Sequence, residues 1–239
     1  MKIYELDTVD STNSEAKRIL NRTGENLFAV SANMQTAGRG RFNRVWQTPK
    51  GNVAVTIVAP LPENKAELPT IALVTGLAIY DVLSAILSKD RNLTIKWPND
   101  ILVDGAKISG TLVEADEKSI FSGIGINRVT KPENIQYPTV TLQEICDADT
   151  SSVMRSLVER WGDYYEMWNT YGFSSLVASY NSRMHFIGQQ IRFSLDKEKE
   201  SWFNGKCLGV NEKGHLLIED DEGNITAHFS GEFEQPVID

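Results

Sequence analysis

Four short segments carry residue types suited to holding anions and a nucleobase. The first is Gly38-Arg39-Gly40-Arg41-Phe42-Asn43-Arg44-Val45-Trp46. Its glycines let the backbone wrap closely around a ligand. Its arginines are permanently charged planar forks that match phosphate or carboxylate. Trp46 can lie over a base or pack in a core. The second is Lys96-Trp97-Pro98-Asn99-Asp100. Pro98 disfavours helix at Trp97. An amide and a carboxylate then stand side by side, the amide able to read a base edge, the carboxylate able to hold a metal or orient a lysine. The third is Gly105-Ala106-Lys107-Ile108-Ser109-Gly110-Thr111-Leu112-Val113-Glu114, with Lys107 at the start of an apolar strand as a point charge for an anion. The fourth is Gly123-Ile124-Gly125-Ile126-Asn127, in which strand glycines permit close approach of a ligand or backbone. Each has a plainer alternative: an exposed basic loop, a capped turn, a solvent-facing lysine, a sheet contact without ligand.

Elements that position these segments are legible around them. Lys2–Leu6 alternates as a strand, and a helix starts within Ser11-Thr12-Asn13-Ser14 and runs through Leu20, since Ser and Asn are good N-caps. Phe28–Ala32 and the β-branched run Val53–Val58 read as strands. Pro69 lies near the start of a long helix ending at about Leu87. Strands follow at Leu93–Lys96, Ile101–Val103, Lys107–Glu114 and Ser119–Ile126, with turns at Gly105 and Asp116-Glu117-Lys118. Met154, Leu157, Val158, Trp161, Tyr165 and Trp168 recur at helical spacing. After Gly188 short strand candidates succeed one another: Gln190–Leu195, Lys206–Val210, His215–Glu219 and Thr226–Phe229. Such spacing predicts a small β-barrel. The fold class is therefore α+β, a mixed sheet with helices over 1–187 and a small all-β domain over 188–239.

Composition narrows the function. The chain has 239 residues and a formal net charge of -8, which argues against a general nucleic-acid binder. The apolar stretch Leu68–Leu87 is broken by Gly76, Tyr80, Asp81 and Ser84, so it reads as a buried amphipathic helix rather than a membrane span. Residues 1–7 lack a basic region followed by an apolar core, so no secretory signal is expected. Cys146 and Cys207 are far apart, and His185, His215 and His228 are scattered, without metal-ligand spacing. A cytoplasmic enzyme without structural zinc or disulfides is the simplest expectation.

Taken in order, Gly38–Arg41, Lys96–Asp100, Lys107–Gly110 and Gly125–Asn127 closely resemble the biotin–protein ligase family. Asp10-Ser11-Thr12-Asn13 and Gln35 resemble its biotin-contacting segments, and Gly231-Glu232 its late barrel strand. The resemblance runs from about Tyr4 to Asn127 and more loosely onward. It implies a class II synthetase-like catalytic domain with an SH3-like C-terminal barrel. It implies a ligase that uses ATP and Mg²⁺ to form biotinyl-adenylate, then transfers biotin to a lysine of a biotin carboxyl carrier domain, as monomer or homodimer. Ser11, Thr12, Asn13 and Gln35 would meet biotin's polar ring. Gly38, Arg39, Gly40 and Arg41 would fold over biotin and the adenylate. Lys107, beside Gly110, would face the biotin carboxylate and α-phosphate. Trp46, Asn99 and Asn127 would lie toward adenine. Asp100 would orient the acceptor lysine and help with Mg²⁺; metal ligands are otherwise unassigned. Two positions depart from the family: Asn43 stands where it usually has glycine, and Arg128-Val129 where it often has Val-Asn. The Asp10–Asn13 segment begins near the N-terminus, so no DNA-binding domain and no repressor function are expected. A lipoate or octanoyl ligase, or a non-catalytic sensor that kept the pocket, are the competing readings.

Overall fold

A computed structural model describes residues 1–132, 137–195 and 202–234 of the chain. Seven strands form the main sheet: β1 (Lys2–Val9), β2 (Phe28–Gln35), β3 (Val53–Pro60), β4 (Leu93–Lys96), β5 (Asp100–Val103), β6 (Ala106–Ala115) and β7 (Ser119–Ile126). Their order is β1-β2-β3-β7-β6-β5-β4. Only β1 and β2 pair in parallel, joined by helix α1 (Thr12–Thr23); the other pairings are antiparallel. The strands expected for this sheet are all present; β4 and β7 have the expected bounds, and the largest extension, three residues, is at the C-terminal ends of β1 and β2.

Helices cover both faces of the sheet centre, which is why β3 and β7 are almost wholly buried and read as apolar runs. On β7, Ile120, Ile124 and Ile126 point to one face and join the main core; Phe121 points to the other, beneath α1 with Ala16, Ile19, Phe28, Val30 and Val58. The main core is closed by α2 (Ile71–Ile86) and α4 (Thr150–Tyr171); α3 (Leu142–Ile145) and α5 (Val177–Asn181) are short.

Helix α2 differs from the amphipathic helix expected. Ten of its 16 residues are buried, because it is sandwiched between the sheet and α4. By length and composition Lys65–Ile86 would be apolar enough to cross a membrane, yet it serves as this core helix. Thr75 within it and Thr70 just before it are both partners of α4. The buried indoles of Trp161 and Trp168 donate to Thr75 Oγ1 at 3.0 Å and Thr70 Oγ1 at 2.8 Å, so each apolar ring keeps its polar edge satisfied. Truncating either tryptophan would cost about 3–5 kcal/mol.

A second sheet is antiparallel and five-stranded: β8 (Gln190–Ser194), β9 (Phe203–Val210), β10 (Leu216–Glu219), β11 (Ile225–His228) and β12 (Glu232–Glu234), ordered β11-β10-β9-β8-β12. This matches the small all-β unit expected from the short strands. Residues 196–201 and 235–239 of the expected 188–239 unit lie outside the described residues. Ile191, Phe193, Cys207, Leu216 and Ile218 merge into the main core. The buried Trp97 indole donates to Gly214 O at 3.0 Å and braces the β4–β5 turn, where the Trp97–Pro98 peptide is cis.

Candidate active site

Register builds the floor of the site. On the α1 face, three cross-strand rows run over β3, β7 and β6: Val58–Phe121–Glu114, Thr56–Gly123–Leu112 and Ala54–Gly125–Gly110. Helix α1 covers the first row. In the next rows the β7 residue is glycine, flanked on β3 by Thr56 and then Ala54, and this opens a trough beside the N-terminus of α1. A Cβ at Gly123 would collide with the Asn13 side-chain oxygen, and one at Gly125 with the Trp46 indole. A Cβ at Gly110 would press on Trp46 at 3.1 Å and Lys107 Nζ at 3.3 Å. The strand glycines are thus a cradle for Asn13, Trp46 and Lys107.

One end of the trough is neutral and polar. The Gln35 side-chain oxygen accepts from the Thr12 N–H at 2.8 Å and the Thr12 hydroxyl at 3.1 Å; its amide donates to Thr48 Oγ1 at 2.8 Å. Thr56 Oγ1 donates to Asn13 Oδ1 at 2.6 Å and lies 2.8 Å from Thr12 Oγ1. Ser11, Thr12, Asn13, Thr48 and Thr56 are all buried. Ser11 occupies the N-cap position expected, but its hydroxyl makes no capping bond, so it is not committed to the helix.

The other end is charged. Lys107 Nζ pairs with Asp100 Oδ1 at 2.8 Å, with both side chains under a quarter exposed. The ammonium lies 5.6 Å from the ring centroids of both Trp46 and Tyr137. Lys107 is fixed through its backbone: its N–H donates to Pro138 O, and its carbonyl accepts from the Val140 N–H. Segment 138–140 takes over the ladder where β7 ends. Asn127 is buried there, with Nδ2 3.5 Å from Lys107 O and a side-chain oxygen that no group among the described residues satisfies. An unmet buried acceptor is costly unless a ligand donor meets it. Asn52 ties down the following turn, its side-chain oxygen accepting from the N–H groups of Arg128, Val129 and Thr130.

The glycine-arginine loop is closed back on itself, Arg39 bridging Val45 in the backbone and Trp46 N–H donating to Gly38 O. Left-handed backbone falls at Phe42 (φ 57), not at Asn43, where the family usually has glycine. The guanidinium groups of Arg41 and Arg44 lie 4.8 and 5.7 Å from the Phe42 ring. Three arginines then anchor the loop. Arg41 donates to Asn99 Oδ1 at 3.3 Å, while Asn99 Nδ2 donates to Thr111 O at 2.8 Å. Arg39 pairs with Glu114 at 3.0 Å, and Arg44 with Glu232 of β12 at 2.6 Å. Burial lowers the Arg41 pKa, opposed by the charges of Asp100 and Glu232; an arginine stays charged nonetheless.

The structure therefore gathers Ser11, Thr12, Asn13 and Gln35 at one end and Arg41, Asn99, Asp100, Lys107, Gly110 and Asn127 at the other, with Gly38 beside Gln35, Trp46 beside Lys107, and Gly40 on the loop against Arg44. Arg39 stands apart from the Lys107–Asp100 pair, on Glu114. Sequence reading missed Thr48 and Thr56 as site neighbours, although Thr56 had a signal, a lone hydroxyl inside Val53–Val58. Arg44, Glu114 and Glu232 stood in the segments read from sequence, but their ion-pair partners had no signal because those partners lie far away in the chain.

This fold and site are those of a protein ligase domain, as the comparisons show. Residues 6–127 match the model of the biotin/lipoate A/B protein ligase family. The biotin–[acetyl-CoA-carboxylase] ligase of Paracoccus denitrificans is 29% identical over 230 residues, covering 91% of this chain and 94% of that one. The bifunctional ligase/repressor BirA of Escherichia coli K12 is 30% identical over 240 residues, covering 95% and 72%. The biotin protein ligase of Aquifex aeolicus, solved in complex with biotin and ATP, superposes with a TM-score of 0.82 at 30% identity, covering 98% and 97%. The chain belongs to the biotin/lipoate A/B protein ligase family. Within it, the chain is an enzyme of the biotin–protein ligase class.

Proposed function

We propose that the enzyme condenses biotin with ATP to biotinyl-adenylate and passes the biotin to one lysine of a biotin carboxyl carrier domain. The observation that carries this reading is the polarity of the trough: a neutral hydrogen-bonding end at Thr12, Gln35 and Thr56, and a cationic end at Lys107. Biotin has the same polarity, a neutral urea-like ring at one end and a carboxylate at the other.

In this reading Ser11, Thr12, Asn13 and Gln35 hold the ring. Lys107 offsets charge as the carboxylate oxygen bonds to the α-phosphorus and pyrophosphate leaves. Positioning and fixed charge do the work, and no enzyme nucleophile is required. Asn127 offers its unmet side-chain oxygen to the exocyclic amine of adenine, with Asn99 and Trp46 nearby. The acceptor amine then attacks the carbonyl and AMP leaves, Asp100 orienting the incoming amine. Arg39 and Arg41, on the loop with Gly38 and Gly40, keep water from the anhydride. Mg²⁺ would accompany the nucleotide phosphates, which supply most of its oxygen ligands, with Asp100 as the nearby carboxylate. Residues 1–187 form the catalytic domain and 188–239 the barrel. Action in the cytoplasm without repressor function completes the proposal; the net charge of -8 favours the absence of DNA binding.

The test is pyrophosphate release from Mg-ATP with biotin or lipoate, followed by transfer to a carrier domain. Release with biotin and labelling of one lysine are expected. Release with lipoate alone would replace biotin as substrate, and release with neither would leave a sensor.

A further inference from the structure

Glu114 closes the third motif without a role assigned to it by sequence, yet it is the centre of a three-membered charge chain at the trough. Its Oε1 is 3.0 Å from Arg39 Nη2 on the loop, and its Oε2 is 2.7 Å from Lys17 Nζ on α1. The carboxylate is 24% exposed, and its Oε2 is shut off from solvent. Register explains the placement. Glu114 sits opposite Phe121, in the cross-strand row that α1 covers. Lys17 spans that row, its ammonium 5.3 Å from the Phe121 ring. Lys17 is also one helical turn beyond Asn13, on the helix whose first turn supplies the polar end of the trough.

We infer that Glu114 is a positioning residue for Arg39: it holds the loop arginine against β6 and, through Lys17, in fixed relation to α1 and the ring-binding residues. Three features support this. Arg39 and Lys17 are both long, half-exposed side chains with much rotamer freedom to lose. One carboxylate on a central strand, a rigid element, orients both. The chain Lys17–Glu114–Arg39 crosses the trough wall between α1 and the loop, so loop opening must break the Arg39 contact. The inference rests on the ligase reading for the ligand that the loop retains, but the contact itself can be tested without ligand.

The experiment is a double-mutant cycle of Glu114→Gln and Arg39→Gln with two readouts. The first is trypsin cleavage after Arg41 and Arg44 in the ligand-free protein. The second is loss of biotinyl-adenylate from the enzyme after a single turnover without acceptor. Each single variant is expected to speed both by about fivefold, the upper range for a partly exposed ion pair, with the melting temperature kept. The double variant is expected to match Arg39→Gln alone, since each single change removes the same contact. Glu114→Asp tests geometry and is expected to restore part of the protection. Additive effects in the cycle, or single variants that cleave and release at the parent rate, would overturn the assignment. A parent that forms no adenylate would sink the ligase reading, while the proteolysis arm would still decide the role of Glu114.

Discussion

Lys107 and Asp100 face each other at 2.8 Å across the β5–β6 pairing, each less than a quarter exposed. The β-bulge between Ile101 and Leu102 shifts the register so that Lys107 pairs with Leu102 while Asp100 pairs with Gly110. The cation at the end of the trough is therefore held by a carboxylate that an incoming amine or metal would also seek. Lys107→Gln is expected to slow adenylate formation about 10²–10³-fold, the usual loss when one preorganised charge at a reacting anion is removed. Stopped-flow pyrophosphate release measures it. Near-parent kinetics would return Lys107 to a surface role.

Arg41→Gly removes the contact to Asn99 and the packing on Phe42 at once, and adds backbone freedom beside Gly40. Adenylate is expected still to form, because Lys107 and the polar end remain, but to escape sooner. Biotin should then appear on lysines of bystander proteins mixed with the variant, ATP and biotin. Equal bystander labelling by variant and parent, with adenylate formation intact in both, would show that Arg41 does not retain the intermediate.

Gly125→Ala places a methyl group in the Trp46 indole. The indole must shift, or β7 must move, and overpacking of this kind costs about 1–3 kcal/mol. A lower melting temperature and weaker binding of both biotin and ATP are expected. Isothermal titration with each substrate checks it; unchanged affinities would mean that Trp46 does not shape the site.

His185 offers a stability test away from the chemistry. It packs on Phe186, meets Thr94 Oγ1 at 3.0 Å, and its pKa is lowered to about 4, chiefly by burial and secondarily by Lys96. Its unfolded value is about 6.5. Between these values the unfolded chain binds the proton and the folded one does not, so stability falls as pH drops from about 6.5 to about 4. Urea midpoints across that range are expected to fall less in His185→Asn than in the parent. Parallel pH profiles would place the acid sensitivity elsewhere.

The strands, the long helices and the family were open to reading from sequence because each rests on short-range pattern. β-branched runs, helical spacing and contiguous motifs such as Lys96–Asp100 need no knowledge of distant partners. Ser11, Thr12 and Gln35 were expected to act together through the family resemblance, and the structure brings them side by side through the parallel pairing of β1 and β2. What only tertiary structure decided is which side chains those motifs meet. The left-handed backbone falls at Phe42, whose ring two guanidinium groups flank. Arg44 finds Glu232 across 188 residues, and Arg39 finds Glu114 on β6. A one-residue change of register would turn Gly123, Gly125 and Glu114 to the opposite face, so strand pairing, which no local pattern carries, made the trough.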